Sequence, residues 1–148
     1  MSFQTAVENT HEIAECLKPG LRALGNDSRR IVMSNTSSCE GSVNLDACLA
    51  NKYPQSNRWD YCFAYDGEVF FVEVHSAITS EVATVIRKLE WLKQWLINSA
   101  PELDRLKAQS RTPYYWIQSS GFSILPQSKQ FRAAVQAGIK PIARLELR

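Results

Sequence analysis

Apolar positions along the chain fall into helical and strand periods separated by polar breaks. From Thr5 to Lys18, the residues Thr10, Ile13, Ala14 and Leu17 recur at helical spacing. Leu21 and Leu24 would extend that stripe, and Pro19-Gly20 predicts a kink or a stop. Glu8, Glu12 and Glu15 lie away from the stripe and read as solvated surface. Arg30–Ser34 reads as a short strand. The polar stretch Asn35–Asn57 predicts a long connection with a short helix after Asp46, and a connection this long inside a small domain is often functional. Two apolar runs, Trp59–Tyr65 and Glu68–His75, flank Asp66-Gly67. Thr79 or Ser80 is placed to cap a helix over Glu81–Asn98, whose stripe is Val82, Val85, Ile86, Leu89, Leu92 and Leu96, with Pro101 at its end. Tyr114–Gln118 reads as a strand broken by Ser119-Ser120-Gly121, Gln127–Ala137 as a helix stopped by Gly138, and Pro141–Leu147 as a closing strand. A helix linking the third strand to a later one predicts an α/β fold, with a mixed sheet covered by helices on both faces.

The Asp66-Gly67 pair fixes a register. A type I′ turn needs positive φ at both central residues, which this pair supplies. A two-residue loop then pairs Tyr65 with Glu68, Phe63 with Phe70, Tyr61 with Val72 and Asp60 with Glu73. Alternation puts Asp60, Cys62, Ala64, Val69, Phe71, Glu73 and His75 on one face. Trp59, Tyr61, Phe63, Phe70, Val72 and Val74 fall on the other. Asp60 and Glu73 thus oppose each other at the end of an apolar face. Like charges so placed are destabilising, and more so when buried. A cation between them removes the conflict, and two hard carboxylates suit Mg²⁺ or Mn²⁺. The alternatives are wet strand ends or pairing with an arginine such as Arg58.

Composition adds bounds. The 148 residues suit one domain, 1–148, with a real core; 45% are hydrophobic and 22% charged, as in ordinary globular proteins. A net charge of +2 neither requires a polyanionic partner nor excludes a local basic cleft. The first residues carry no basic and apolar leader pattern, and no run is long enough to span a membrane, so a cytoplasmic, non-membrane protein is expected. Cys16, Cys39, Cys48 and Cys62 form no CxxC pair, and with His75 they match no common zinc spacing; Cys62 reads as a small buried hydrophobe.

An acid on one hairpin strand and Glu-x-basic on the next resembles the active-site pattern of the PD-(D/E)xK nucleases, the restriction-endonuclease-like superfamily. The resemblance implies an αβββαβ core over nearly the whole chain. It also implies metal-assisted hydrolysis of phosphodiester bonds with Mg²⁺ or Mn²⁺, and a nucleic-acid substrate, DNA before RNA. Asp60 stands for the first metal-binding acid, Glu73 for the second, and His75 takes the position of the motif lysine. Two departures are visible. Trp59 precedes the first acid where a proline can stand, and histidine replaces lysine. A neutral His75 would act as a base but supply less fixed positive charge. Lys88 or Lys93 on the following helix is the other source of a cation, against the reading of both as snorkelling lysines. Glu40 or Asp46 would replace the acid that family members often take from the first helix, with helix capping the competing role of Asp46. Gln118 is placed to hydrogen-bond the histidine or a water.

Two functions follow. One is a metal-dependent nuclease, favoured by the opposed Asp60 and Glu73. The other is a non-catalytic binding or regulatory protein with a degraded nuclease site, favoured by His75 and by the missing helical acid. Trp91 and Trp95 flank the apolar stripe of their helix, where core packing is the default and a homodimer contact the alternative.

Overall fold

The computed structural model describes all residues, 1–148. The chain begins with helix α1 (Phe3–Asn9), capped by the Ser2 hydroxyl, which accepts from the Thr5 N–H. The longer helix expected here stops early: the Thr10 hydroxyl donates to the Ala6 carbonyl, and only a 3-10 turn, His11–Ile13, follows. Two 3-10 turns separated by a kink at Gly25 span Arg22–Arg30 and lead into β1 (Ile31–Met33). A 3-10 turn, Thr36–Ser38, precedes β2 (Cys39–Asn44) and the short helix α2 (Leu45–Leu49). The hairpin strands are β3 (Tyr61–Tyr65) and β4 (Glu68–Ile78). The turn Thr79–Glu81 then opens α3 (Val82–Ser99). Helix α4 (Pro101–Leu106), β5 (Tyr114–Ser123), α5 (Lys129–Gln136) and β6 (Leu145–Leu147) complete the chain.

A four-stranded sheet has the order β2-β3-β4-β5, and β1 and β6 form a separate parallel pair. β2, β3 and β4 are antiparallel neighbours, whereas β4 and β5 run parallel, joined by α3 and α4. The molecule is therefore α/β with a mixed sheet flanked by helices. The hairpin register is the expected one, from Tyr65↔Glu68 to Tyr61↔Val72. Asp66 and Gly67 both have positive φ, 52° and 82°, as a I′ turn requires.

Strand alternation divides the interior into two cores. Cys62, Ala64, Val69, Phe71 and Trp116 face the larger one, closed by α1, α2, α3 and α5. Phe63, Phe70, Val72 and Ile117 face the smaller, closed by Leu24, Ile31, Leu145 and Leu147. The α-helices thus gather on one face, and the other is covered by the Arg22–Arg30 turns and the β1–β6 pair. Each fully buried large side chain contributes about 1.5–3 kcal/mol. Trp59 departs from the expected alternation. Regular pairing starts at Tyr61, and Trp59, two residues before it, turns its indole into the larger core.

Four more differences have local causes. β2 lies inside the stretch expected to be loop, and its Gly41 and Ser42 are buried because another segment of backbone approaches closely. Lys18 and Ser42 exchange N–H···O=C bonds of 2.9 Å, and the buried Ser42 hydroxyl accepts from the Ala23 N–H at 3.0 Å. Pro101 begins a new helix at its first position instead of merely ending the previous one. β5 continues past the Ser-Ser-Gly break, with a register shift relative to β4 between His75 and Ala77. Cys16 and Cys48 are joined in a disulfide that fastens α2 to the end of the N-terminal segment. Such cross-links persist in oxidising compartments and are rare in a reducing cytoplasm, which pulls against the cytoplasmic expectation. No helix is long and apolar enough to cross a membrane.

Candidate active site

The hairpin brings Asp60 and Glu73 to one end of the sheet, on the face of the larger core. Glu73 is fully buried; one carboxylate oxygen, Oε1, accepts from the Asp60 backbone N–H at 3.1 Å. The Val74 N–H in turn donates to Asp60 Oδ2 at 3.0 Å. The two acids are therefore interlocked through each other's strand.

The cation that their opposition demands comes from α3. Lys88 lies beside the apolar stripe of Val85, Leu89 and Leu92, and its side chain is 14% exposed. Its ammonium bonds Glu73 Oε2 and lies 3.5 Å from Asp60 Oδ1. Burial alone would lower the Lys88 pKa, but Glu73 and Asp60 more than offset this and hold it above the ordinary lysine value. Burial first, and then the Glu73 carboxylate, push the Asp60 pKa up to about 7 against the pull of Lys88. Lys93, the other candidate, leaves the site and lies over the Tyr114 ring, 5.1 Å from its centroid.

His75 points to the same face. Its Nδ1 lies 3.1 Å from Glu73 Oε2 and its Nε2 2.8 Å from Glu81 Oε1. Only the imidazolium donates from both nitrogens. The Glu73 bond raises the His75 pKa, burial opposes it, and the Glu81 bond adds to the rise. A ring held between two carboxylates has no lone pair free to take a proton from water. The geometry thus favours the protonated ring over the free base expected of His75. Glu81 was not anticipated; its position at the end of a strand-to-helix turn, six residues after His75, was the only sequence signal.

Around this centre, the Asp46 N–H donates to the Asp60 carbonyl at 3.2 Å. Arg58 Nε bonds the Asp46 carboxylate at 3.0 Å, and its Nη1 donates to the Tyr53 carbonyl. Asp46 is not the helix cap: Asn44 Oδ1 fills that role for α2, accepting from the Ala47 N–H at 2.9 Å. Glu40 sits at the opposite end of the hairpin, bonded to the Gly67 N–H. Gln118 pairs with His75 across β4 and β5 and so shares its face, but its side chain bonds neither His75 nor the acids. Glu12, expected on the solvated surface, is largely buried and accepts from the Tyr53 hydroxyl and the Trp95 indole at 2.8 and 2.9 Å. Trp95 is core, and Trp91 stacks on it with ring centroids 6.1 Å apart.

No group of three or more His, Cys, Asp or Glu side chains is gathered in a metal-holding arrangement. Mg²⁺ needs none, since it commonly takes one or two carboxylates and fills its shell with waters and phosphate oxygens. The charges leave room for such an ion: three carboxylates, Asp60, Glu73 and Glu81, face two cations, Lys88 and His75. A surface cavity of about 500 Å³ opens elsewhere, beside the disulfide and between Lys18, Arg22 and Asn44. No family model, no curated protein and no solved structure matches the chain.

Proposed function

We propose that this chain is a metal-dependent nuclease domain of the PD-(D/E)xK type, acting on phosphodiester bonds of nucleic acid, DNA before RNA. The observation that carries the reading is the convergence of Asp60, Glu73 and Lys88 at one strand end. Packing gives no reward for burying two opposed acids with an ammonium, whereas phosphate hydrolysis uses all three. Asp60 and Glu73 would hold Mg²⁺ or Mn²⁺, which when bound supplies an activated water and charge neutralisation at the phosphate.

The protein's own groups do the rest. Lys88 donates to a non-bridging phosphate oxygen and stabilises the charge that grows there. It does from the helix what the motif lysine does from the strand. His75, fixed by Glu81, supplies the second positive charge in the place where the motif lysine would stand. Asp46, ion-paired with Arg58, is the nearest further acid, and Arg58 keeps one guanidinium nitrogen, Nη2, without a protein partner. That nitrogen is available to a substrate phosphate.

The second reading, a non-catalytic nuclease-fold protein, has its own support. The Lys88 ammonium already bridges the two acids, which is where a metal ion would have to bind. Purified protein incubated with DNA and RNA in Mg²⁺ and in Mn²⁺ separates the two. The nuclease reading expects cleavage that a chelator stops and that Lys88→Ala reduces by at least ~10²-fold, the scale for losing one preorganised donor. Metal binding without cleavage supports the second reading. Cleavage unaffected by Lys88→Ala or Glu73→Gln removes this site from the chemistry.

A further inference from the structure

Charge is unevenly distributed along the chain. From Arg105 through Leu145 there are seven lysines and arginines and no acid, although the whole chain is only +2. That stretch builds β5 and α5, which flank the candidate site. Gln118 pairs with His75 and Phe122 with Ala77, so two steps along β4 correspond to four along β5. Three exposed residues, Ser119, Ser120 and Gly121, thus stand opposite Ser76 alone, a bulge with a surplus of two. The bulge is held in place: the Arg30 guanidinium donates to the Gln118 and Ser119 carbonyls, each at 3.2 Å, while Asp27 anchors its Nε. Bulges of this kind commonly re-aim side chains next to a site.

Phe122 is the residue re-aimed here. It pairs with Ala77, on the same face as Glu73 and His75, yet it is 44% exposed. Its ring meets that of Phe131 of α5 in a T-shaped contact, with centroids 6.4 Å apart, and much of the side chain remains exposed. The Leu125 N–H bonds the Thr79 hydroxyl at 3.0 Å, which ties the segment after β5 to the turn that carries Glu81. From strand spacing, Phe122 lies about 14 Å from Glu73, a reach of a few nucleotides. Lys129 and Arg132 are exposed on α5 just beyond it.

We infer that the bulged end of β5 and the exposed side of α5 form the binding track for a single-stranded nucleic acid, with Phe122 stacked on an unpaired base and Lys129 and Arg132 on phosphates. The inference rests on the phosphodiester reading of the site and narrows its substrate. Two exposed cations on α5, in a segment that carries no acid of its own, suit a polyanion. A duplex keeps its base faces stacked inside, so an exposed aromatic beside the site serves only an unpaired base. The centre itself is largely enclosed, with Asp60, Lys88 and His75 side chains only 14–19% exposed, which suits a single strand over a wide helix.

Fluorescence anisotropy with labelled single-stranded DNA, single-stranded RNA and duplex DNA, in chelator so that nothing is cleaved, tests this. Single strands should bind at least about tenfold more tightly than duplex, and the DNA and RNA arms identify the natural sugar. Phe122→Ala should weaken single-strand binding about tenfold, and Phe122→Trp should restore it. Because Phe122→Ala also disturbs the Phe131 contact, Lys129→Gln with Arg132→Gln is the second variant. It leaves the core untouched and should lower the slope of log affinity against log salt by about 0.7 per cation removed. Equal or tighter binding of duplex, with cleavage intact, overturns the inference and leaves the nuclease reading standing. Loss of a dimer in Phe122→Ala without loss of nucleic-acid binding assigns the patch to a second copy of the chain and also overturns it. No binding of any strand together with no cleavage removes the nuclease reading as well.

Discussion

Asp60 is the residue whose titration is most altered by the fold. Burial, followed by the Glu73 carboxylate, raises its pKa from 3.8 to about 7. A carboxyl raised in this way stabilises the folded state fully below 3.8, and that contribution is lost as pH rises through about 7. Asp60→Asn keeps an acceptor for the Val74 N–H and removes the buried charge. It should therefore raise the melting temperature on the alkaline side of pH 7 while abolishing cleavage. A variant that melts below wild type there would show that the Lys88 contact outweighs the burial of charge. His75 follows the same sign. Its folded pKa is raised above 6.5, so its stabilising bonds are complete below 6.5 and fade as pH climbs through the raised value. His75→Gln should flatten that part of the pH–stability curve. It should leave untouched any acidic limb of the pH–rate profile, because a histidine bonded at both nitrogens is no base. Disappearance of that limb in the variant would return the proton-accepting role to His75.

At the scale of elements, β2 and α2 make the sharpest tests. Gly41 sits at the β2 bulge with φ 149°, and a Cβ there would meet Leu17 Cδ1 at 2.9 Å and the Lys18 carbonyl at 3.2 Å. Gly41→Ala should cost about 1–3 kcal/mol for the backbone conformation, with the clash in addition, as read from denaturant unfolding. The Cys16–Cys48 bond closes a loop of 32 residues, for which chain entropy gives about 3–4 kcal/mol. Reduction, or Cys16→Ser with Cys48→Ser, should lower unfolding stability by that order. It should also loosen Asp46, which lies two residues from the cross-link. What was legible beforehand divides along the same lines. The hairpin could be read because its signal is local: a turn pair and two matched apolar runs. β2 could not, because Gly41 and Ser42 are buried by the approach of Lys18 and Ala23 from elsewhere in the chain. Lys88 was identified as one of two lysines able to reach the site, but periodicity places a lysine only at the margin of an apolar stripe. Which acid it meets is decided by how α3 packs on β4. Glu12 escaped for the same reason, since its partners Tyr53 and Trp95 are remote in sequence.

For the molecule as a whole, a bound metal ion is a stability term. A ligand that binds only the folded state at ~100 times its dissociation constant adds about 2.7 kcal/mol. In a chain of this length that corresponds to a rise of roughly 5–10 °C in melting temperature. Mn²⁺ should produce such a rise in wild type and none in Glu73→Gln, while an equal rise in both would place the ion elsewhere. The Asp66-Gly67 hairpin has a further consequence, and it concerns time. Its strands are joined by two residues, so it can close in about 1–10 μs, ahead of contacts that need distant parts of the chain. Asp60 and Glu73 meet in that step, whereas Lys88 arrives only when α3 docks. Early in folding the two carboxylates therefore face each other without their counter-ion. Mild acid, which neutralises them, should accelerate refolding, and Asp60→Asn should abolish most of that acceleration. The same pair that equips the site would then set the rhythm at which the chain assembles, with helix docking as the moment of relief.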